Sequence, residues 1–123
     1  MSNSRKELGR RGEELAVEYL KRKQYKILCC NYSSRLGEID IIARNSGDLV
    51  FVEVKTRSTD AFGSPAAAVT RRKQQQIIKV AQLYLQSKKL EESSVRFDVV
   101  SVIIDKYNQK IIEIIRNAFE DCG

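Results

Sequence analysis

The chain has 123 residues, 42% of them hydrophobic and 31% charged, with a net charge of +6 and a pI near 9.3. This fits one domain able to bury a core, and it excludes a membrane span, because no apolar run approaches the roughly 20 residues that a span needs. There is no histidine, which excludes histidine-activated nucleophiles and histidine metal ligands, while the excess of cations suits a partner carrying phosphates.

Residues 1–12, MSNSRKELGRRG, are polar and lack the apolar stretch of a signal peptide, so the expected location is cytoplasmic. Residues 5–23 predict a helix. Leu8, Gly12, Leu15, Ala16, Tyr19 and Leu20 recur at helical spacing and form its apolar face. Glu13 lies about 100° from the centre of that face, at a flank from which it could reach the edge of a sheet. It could equally serve as a surface partner for Arg10. Glu14 points to water. Arg11 stands where it could meet a phosphate, and Lys21, Arg22 and Lys23 suit the negative end of the helix dipole.

Residues 25–31 predict a first strand and 32–36 a loop, with Arg35 placed to touch a nucleic-acid backbone. Then comes GEIDIIARNSGDLVFVEVKTR, residues 37–57, which predicts a hairpin. Ile39, Ile41 and Ala43 alternate with Glu38, Asp40 and Ile42. Asn45-Ser46-Gly47-Asp48 supplies turn chemistry, and Val50, Val52 and Val54 alternate with Phe51, Glu53 and Lys55. Residues two apart in a strand share a face, so Glu53 and Lys55 point the same way and Asp40 can sit beside them. Glu38 shares the face of Asp40. Two explanations compete for these charges. One is a solvated salt bridge of Glu53 or Asp40 with Lys55. The other is a magnesium site, in which two carboxylates hold a hard cation and the lysine serves the water or the scissile phosphate.

Residues 56–65 predict an irregular segment that leaves the hairpin where the charges cluster. Gly63 would supply a permissive backbone angle, and Ser64-Pro65 would cap a short helical turn over 66–69. Thr70 would cap the next helix, 71–86, with an apolar face of Ile77, Ile78, Val80, Ala81, Tyr84 and Leu85. Lys73 and Gln74 project onto that face at its N-terminal end, where phosphate or a bound water could be met. Arg71, Arg72, Gln75 and Gln76 lie off it, within reach of a nucleic-acid backbone. Residues 87–94 read as a loop. Strands follow at 95–104 and 110–116, with a turn at 105–109, and Asp98 is expected to pair with a basic residue. Cys29, Cys30 and Cys122 lack zinc-ligand or redox spacing and read as reduced packing residues.

Asp40 followed by Glu53-Val54-Lys55 resembles the D…(D/E)-x-K signature of the PD-(D/E)xK nuclease superfamily, with Ile39 standing where that name has proline. Residues 37–57, with Gly9-Arg10-Arg11-Gly12-Glu13, Phe62-Gly63-Ser64-Pro65 and Arg96-Phe97-Asp98-Val99-Val100, resemble the YraN-like family of small bacterial proteins across roughly residues 5–117. That family is similar to Holliday-junction resolvases.

The resemblance implies a restriction-endonuclease-like α/β fold, a mixed β-sheet flanked by helices in the order α-β-β-β-α-β-β. The first helix is expected to cover the face that holds Glu13, Asp40, Glu53 and Lys55. In the resolvase-like nucleases an acidic residue on the first helix, four after a glycine, completes the metal site. Glu13 after Gly9 takes that role, with Glu14 as the fallback. The implied activity is Mg²⁺- or Mn²⁺-dependent endonucleolytic hydrolysis of DNA, including branched or damaged DNA. Asp40, Glu53 and Glu13 would hold metal and Lys55 would serve the attacking water. Arg11, Arg35, Arg57, Arg71, Arg72 and Lys73 would meet the nucleic acid. Glu38, Gln74 and Glu14 are the alternatives around the site. DNA ranks above RNA because the chain has few aromatics for stacking bases, and a junction substrate would require a homodimer. The competing class is a non-catalytic nucleic-acid-binding or assembly module on the same fold.

Overall fold

A computed structural model describes residues 4–58 and 69–120. The element order is α1 (Ser4–Arg22), β1 (Lys26–Ser34), β2 (Gly37–Asn45), β3 (Asp48–Ser58), α2 (Arg71–Ser87), β4 (Val95–Ile104) and β5 (Lys110–Phe119). This is the expected α-β-β-β-α-β-β order. The five strands form one sheet in the order β1-β2-β3-β4-β5, antiparallel except for the parallel β3–β4 pair. No helix among the described residues is long and apolar enough to cross a membrane. The segment expected at Thr59 and Asp60, the Gly63 and Ser64-Pro65 features, the turn over 66–68 and Cys122 lie outside the described residues.

Strand alternation sorts the core into two layers. Val50 and Val52, with Ile41, Ala43, Val100, Val102 and Ile104, pack against Ala16 and Leu20 of α1. Leu49 and Phe51, with Ile42, Phe97 and Val99, pack against Ile77, Val80, Ala81 and Tyr84 of α2. Phe51 is the hub of the second layer. Its ring meets Tyr84 edge-on at 5.8 Å and stacks with Phe97 at 5.7 Å. Both amphipathic helix faces read from the sequence are therefore used, on opposite sides of the sheet.

Three boundaries differ from expectation. Tyr32 belongs to β1, not to a loop: it pairs with Ile39 and packs its ring edge-on against Tyr84 at 5.1 Å. Thr56, Arg57 and Ser58 continue β3, because β4 offers a parallel partner as far as Ile104. β5 runs past Arg116 to Phe119 through an irregularity at Asn117. Elsewhere local chemistry decides as anticipated. Ser46 and Gly47, with φ of 53° and 85°, turn the β2–β3 hairpin in the doubly positive form that matches strand twist. The Thr70 hydroxyl accepts the Lys73 amide at 3.2 Å and caps α2. Cys29 packs partly against the α2 layer, but Cys30 is exposed, so the packing role expected of it is not found.

A buried polar network ties the sheet together at the β2–β3 turn. The Arg96 guanidinium donates to Asp98 at 2.9 and 3.0 Å, to Asn45 at 2.8 Å and to the Tyr25 hydroxyl at 3.0 Å. Tyr25 donates to Asp98 at 2.7 Å, and the Asn117 amide donates to the same carboxylate at 2.9 Å. Burial, followed by the bond to Asp98, pushes the Tyr25 hydroxyl up to about 12. The partner expected for Asp98 is therefore Arg96, its neighbour but one.

Candidate functional site

The β2–β3 ladder runs from Asn45–Asp48 to Ile41–Val52 and is not continued beyond that pair. Beyond it β3 keeps β4 on one side, while its other edge, from Glu53 to Ser58, opens into a cleft of about 620 Å³. β2 changes sides at this fork. Ile39 packs in the α2 layer and Ile41 in the α1 layer, so the simple alternation expected over Ile39, Ile41 and Ala43 breaks between the first two. Opposite the break, between the Cys30–Ile41 and Tyr32–Ile39 pairs, Asn31 of β1 has a φ of 55°. Asparagine tolerates that left-handed conformation better than most residues.

Asp40 sits at the fork. Its Oδ2 accepts the Val54 amide at 2.8 Å. The Glu53 carboxyl, only 6% exposed, hydrogen-bonds with Asp40. Burial and then the Asp40 charge push Glu53 up to about 7, against the opposing pull of Lys73 and Lys55. Lys55 Nζ lies 3.4 Å from Glu53 Oε2 and is partly exposed. Asp40, Glu53 and Lys55 thus meet as the spacing implied. The Glu53–Lys55 pair is half-buried, which departs from the solvated salt bridge that was one of the two accounts of these charges.

Glu13 comes from the other side. Gly12 lets α1 approach β3 so closely that a Cβ there would stand 1.8 Å from Thr56 Oγ1. This places Glu13 in the same cleft as Asp40 and Glu53. Its carboxyl is raised by burial and by Asp40, lowered by a hydrogen bond with Asn31, and raised further by Glu38. The expectation that α1 covers the face of Glu53 and Lys55 is corrected. α1 packs on the face of Val50, Val52 and Thr56, whereas Glu53 and Lys55 alternate with these and share the side of Leu49 and Phe51. Glu13 reaches Asp40 round the open edge. Among the described residues no three carboxylate or thiol groups form a ready-made metal cage.

The remaining candidates divide. Lys73, half-buried at the start of α2, acts on Glu53 and belongs to the site. Arg57 lines the cleft. Glu38 is exposed, and its charge acts weakly on Glu13. Gln74 is drawn away, its side-chain amide donating to the Val69 carbonyl just before α2 at 3.0 Å. Glu14 points outward and pairs with Arg10 at 2.8 Å. Arg11 donates to Asn108 in the β4–β5 turn. Arg35, Arg71 and Arg72 are exposed. Gln76, expected to face nucleic acid, donates instead to the Leu36 carbonyl at 3.1 Å and ties α2 to the β1–β2 turn.

Sequence reasoning missed Arg5, Asn31 and Thr56. Arg5 and Thr56 line the cleft, and Asn31 orients Glu13. A signal for Arg5 existed: Arg5, Gly9 and Glu13 are spaced by four and share one stripe of the helix. Thr56 had none, because its closeness to Gly12 depends on helix–strand packing.

The profile of the uncharacterised protein family UPF0102 matches residues 12–102. A UPF0102 protein of Alkaliphilus oremlandii is 52% identical over 116 residues, covering 93% of this chain and 98% of that one. One from Caldicellulosiruptor saccharolyticus is 45% identical over 117 residues, covering 94% and 99%. One from Geotalea daltonii is 47% identical over 118 residues, covering 96% and 93%.

Proposed function

The chain belongs to the UPF0102 family, as its resemblance to the YraN-like proteins implied, and from that premise we propose that it is a metal-dependent nuclease that hydrolyses phosphodiester bonds in DNA. The observation that carries this reading is the Asp40–Glu53 contact beside Lys55, in a cleft that cations also line. Two carboxylates forced together in a poorly hydrated place form an oxygen donor pair whose repulsion a hard divalent cation relieves. Asp40 and Glu53 would hold Mg²⁺ or Mn²⁺, with Glu13 across the cleft, and water and substrate oxygens would complete the shell. A bound ion would neutralise charge on the phosphate and make water a stronger nucleophile.

The chain's own groups supply the rest. Lys55, drawn toward Glu53 in the free protein, would turn to the attacking water or to the charge that grows on phosphate as the P–O bond breaks. Lys73 and Arg57 would hold the flanking backbone, and Val54 fixes the Asp40 carboxylate through its amide.

The test is a labelled panel of single strand, duplex, flap, four-way junction and RNA, incubated with Mg²⁺, Mn²⁺ or EDTA. The expected outcome is metal-dependent cutting by the wild type and none by Glu53→Ala. One observation favours a second reading, a non-catalytic nucleic-acid-binding module: the described carboxylates make a pair and not a cage. Salt-sensitive binding that survives Glu53→Ala, with no cutting in any metal, would select it.

A further inference from the structure

Two hollows flank the same stripe of α1. The first is the cleft of the proposed site. The second, of about 520 Å³, is lined by Arg5, Lys6, Arg10 and Asn31 among others. Arg5, Gly9 and Glu13 line both. These three form a ridge with i, i+4, i+8 spacing, and Gly9 is the dip in it. The flanking side chains stand about 6 Å along the helix axis on either side. A Cβ at Gly9 would meet nothing within 4 Å, and its φ is not in the left-handed region. Among the described residues, therefore, neither packing nor backbone conformation calls for glycine there, although glycine weakens a helix interior. Gly12, one turn on, differs in this respect, because Thr56 leaves no room for a side chain.

We propose that Gly9 is a notch through which one unpaired polynucleotide strand crosses α1, running from the carboxylate cleft into the hollow of Arg5, Lys6 and Arg10. This inference rests on the nuclease reading and narrows it to substrates that are single-stranded beside the cut. The notch suits one strand, since a gap one residue wide between side chains about 6 Å away on either side is narrower than a duplex, which carries two backbones with the paired bases between them. The second hollow sets the cations Arg5, Lys6 and Arg10 against the carboxylates of Glu7 and Glu13, leaving an excess of positive charge for the strand. Arg5 and Lys6 are exposed, and among the described residues Arg10 pairs with exposed Glu14, a bond that phosphate can displace cheaply. Arg5 stands at both ends of the path.

The test is binding by the full-length protein in EDTA, which prevents cutting. Fluorescence anisotropy would follow a long single-stranded oligodeoxynucleotide, a dinucleotide and a blunt duplex, with wild type, Gly9→Ala, Gly9→Gln and the control Glu18→Gln. The notch predicts that Gly9→Gln binds the long strand about tenfold or more weakly, that Gly9→Ala falls between, and that the control matches wild type. Dinucleotide binding should not change. Melting temperatures should hold or rise, since both replacements favour helix, which separates a blocked passage from a damaged fold. If Gly9→Gln binds the long strand as tightly as wild type, or if wild type prefers the duplex and Gly9→Gln leaves that preference intact, the passage is overturned while the nuclease reading stands. Failure of the wild type to bind any of the three also overturns the passage, while the nuclease reading is decided separately by the cleavage panel in Mg²⁺ or Mn²⁺.

Discussion

Asp40 accepts the backbone amide of Val54 at 2.8 Å. A side chain therefore supplies, at this point of β3, the acceptor that β2 backbone supplies in the paired part of the hairpin. The bond seals the edge of the sheet where the strands part. The same carboxylate also hydrogen-bonds with Glu53, so the fork in the sheet and the meeting of the two acids share one residue.

Glu53 carries its proton to about pH 7 in the folded chain, against 4.5 for an ordinary glutamate. Between these values the folded state binds more protons than the unfolded state. The stabilising contribution is complete below pH 4.5 and is lost as pH rises through 7. Glu53→Gln removes this dependence. Urea unfolding across pH 4.5 to 8 should show the wild type losing up to about 3 kcal/mol relative to the variant.

Divalent cation should reverse that loss. At pH 8, Mg²⁺ or Mn²⁺ is expected to raise the melting temperature of the wild type, and calorimetry should detect binding. Asp40→Asn and Glu53→Gln should abolish both effects. Glu13→Gln, which removes the more distant acid, should weaken binding without eliminating it.

Lys73 pulls Glu53 toward its ionised form. Lys73→Met should move the midpoint of the Glu53 titration above 7, read by NMR of the carboxyl carbon. It should also weaken binding of single-stranded DNA and reduce the salt dependence by about one phosphate contact. A change in binding with no movement of the Glu53 midpoint would place Lys73 away from the acids.

Gly12→Ala should cost about 1–3 kcal/mol by overpacking against Thr56. The double change Gly12→Ala, Thr56→Gly should recover most of it. Because the same contact holds Glu13 at the cleft, the single variant is expected to lose metal affinity as well as stability, measured by calorimetry and thermal melting.

Arg96→Met leaves Asp98 buried beside Tyr25 without its cation, an arrangement that costs about 3–5 kcal/mol. Arg96→Met with Asp98→Leu should be closer to wild type than Arg96→Met alone. Urea unfolding of the three proteins decides.

Most of the fold was legible in the sequence where local chemistry acts alone. Val95 to Ile104 reads as a strand from its β-branched residues, and the Ser46-Gly47 turn and the Thr70 cap follow from single residues. The meeting of Asp40, Glu53 and Lys55 was legible from spacing. Non-local pairing was not. Thr56, Arg57 and Ser58 become strand only because β4 lies alongside them. The face of Glu53 relative to α1 depends on which helix takes which side of the sheet, and strand periodicity carries no information about that. Gln74 and Gln76 illustrate a related limit. Helical spacing gave their directions, but their amides are occupied by carbonyls of Val69 and Leu36, which only the folded chain brings near.

The parallel pairing of β3 with β4 also bears on how the chain is made. As the protein leaves the ribosome, α1 and the β1–β2–β3 meander emerge first, and their contacts are short-range enough to form at once. β3 then waits with its far edge, from Leu49 to Ser58, unpaired until α2 and β4 have been synthesised. Glu53, Lys55 and Arg57 lie along that waiting edge. Their charges oppose sticking to another nascent chain during the interval, as charged residues do on the bare edges of finished sheets. The side chains proposed to serve chemistry would thus also protect the protein during its own synthesis, before any site exists.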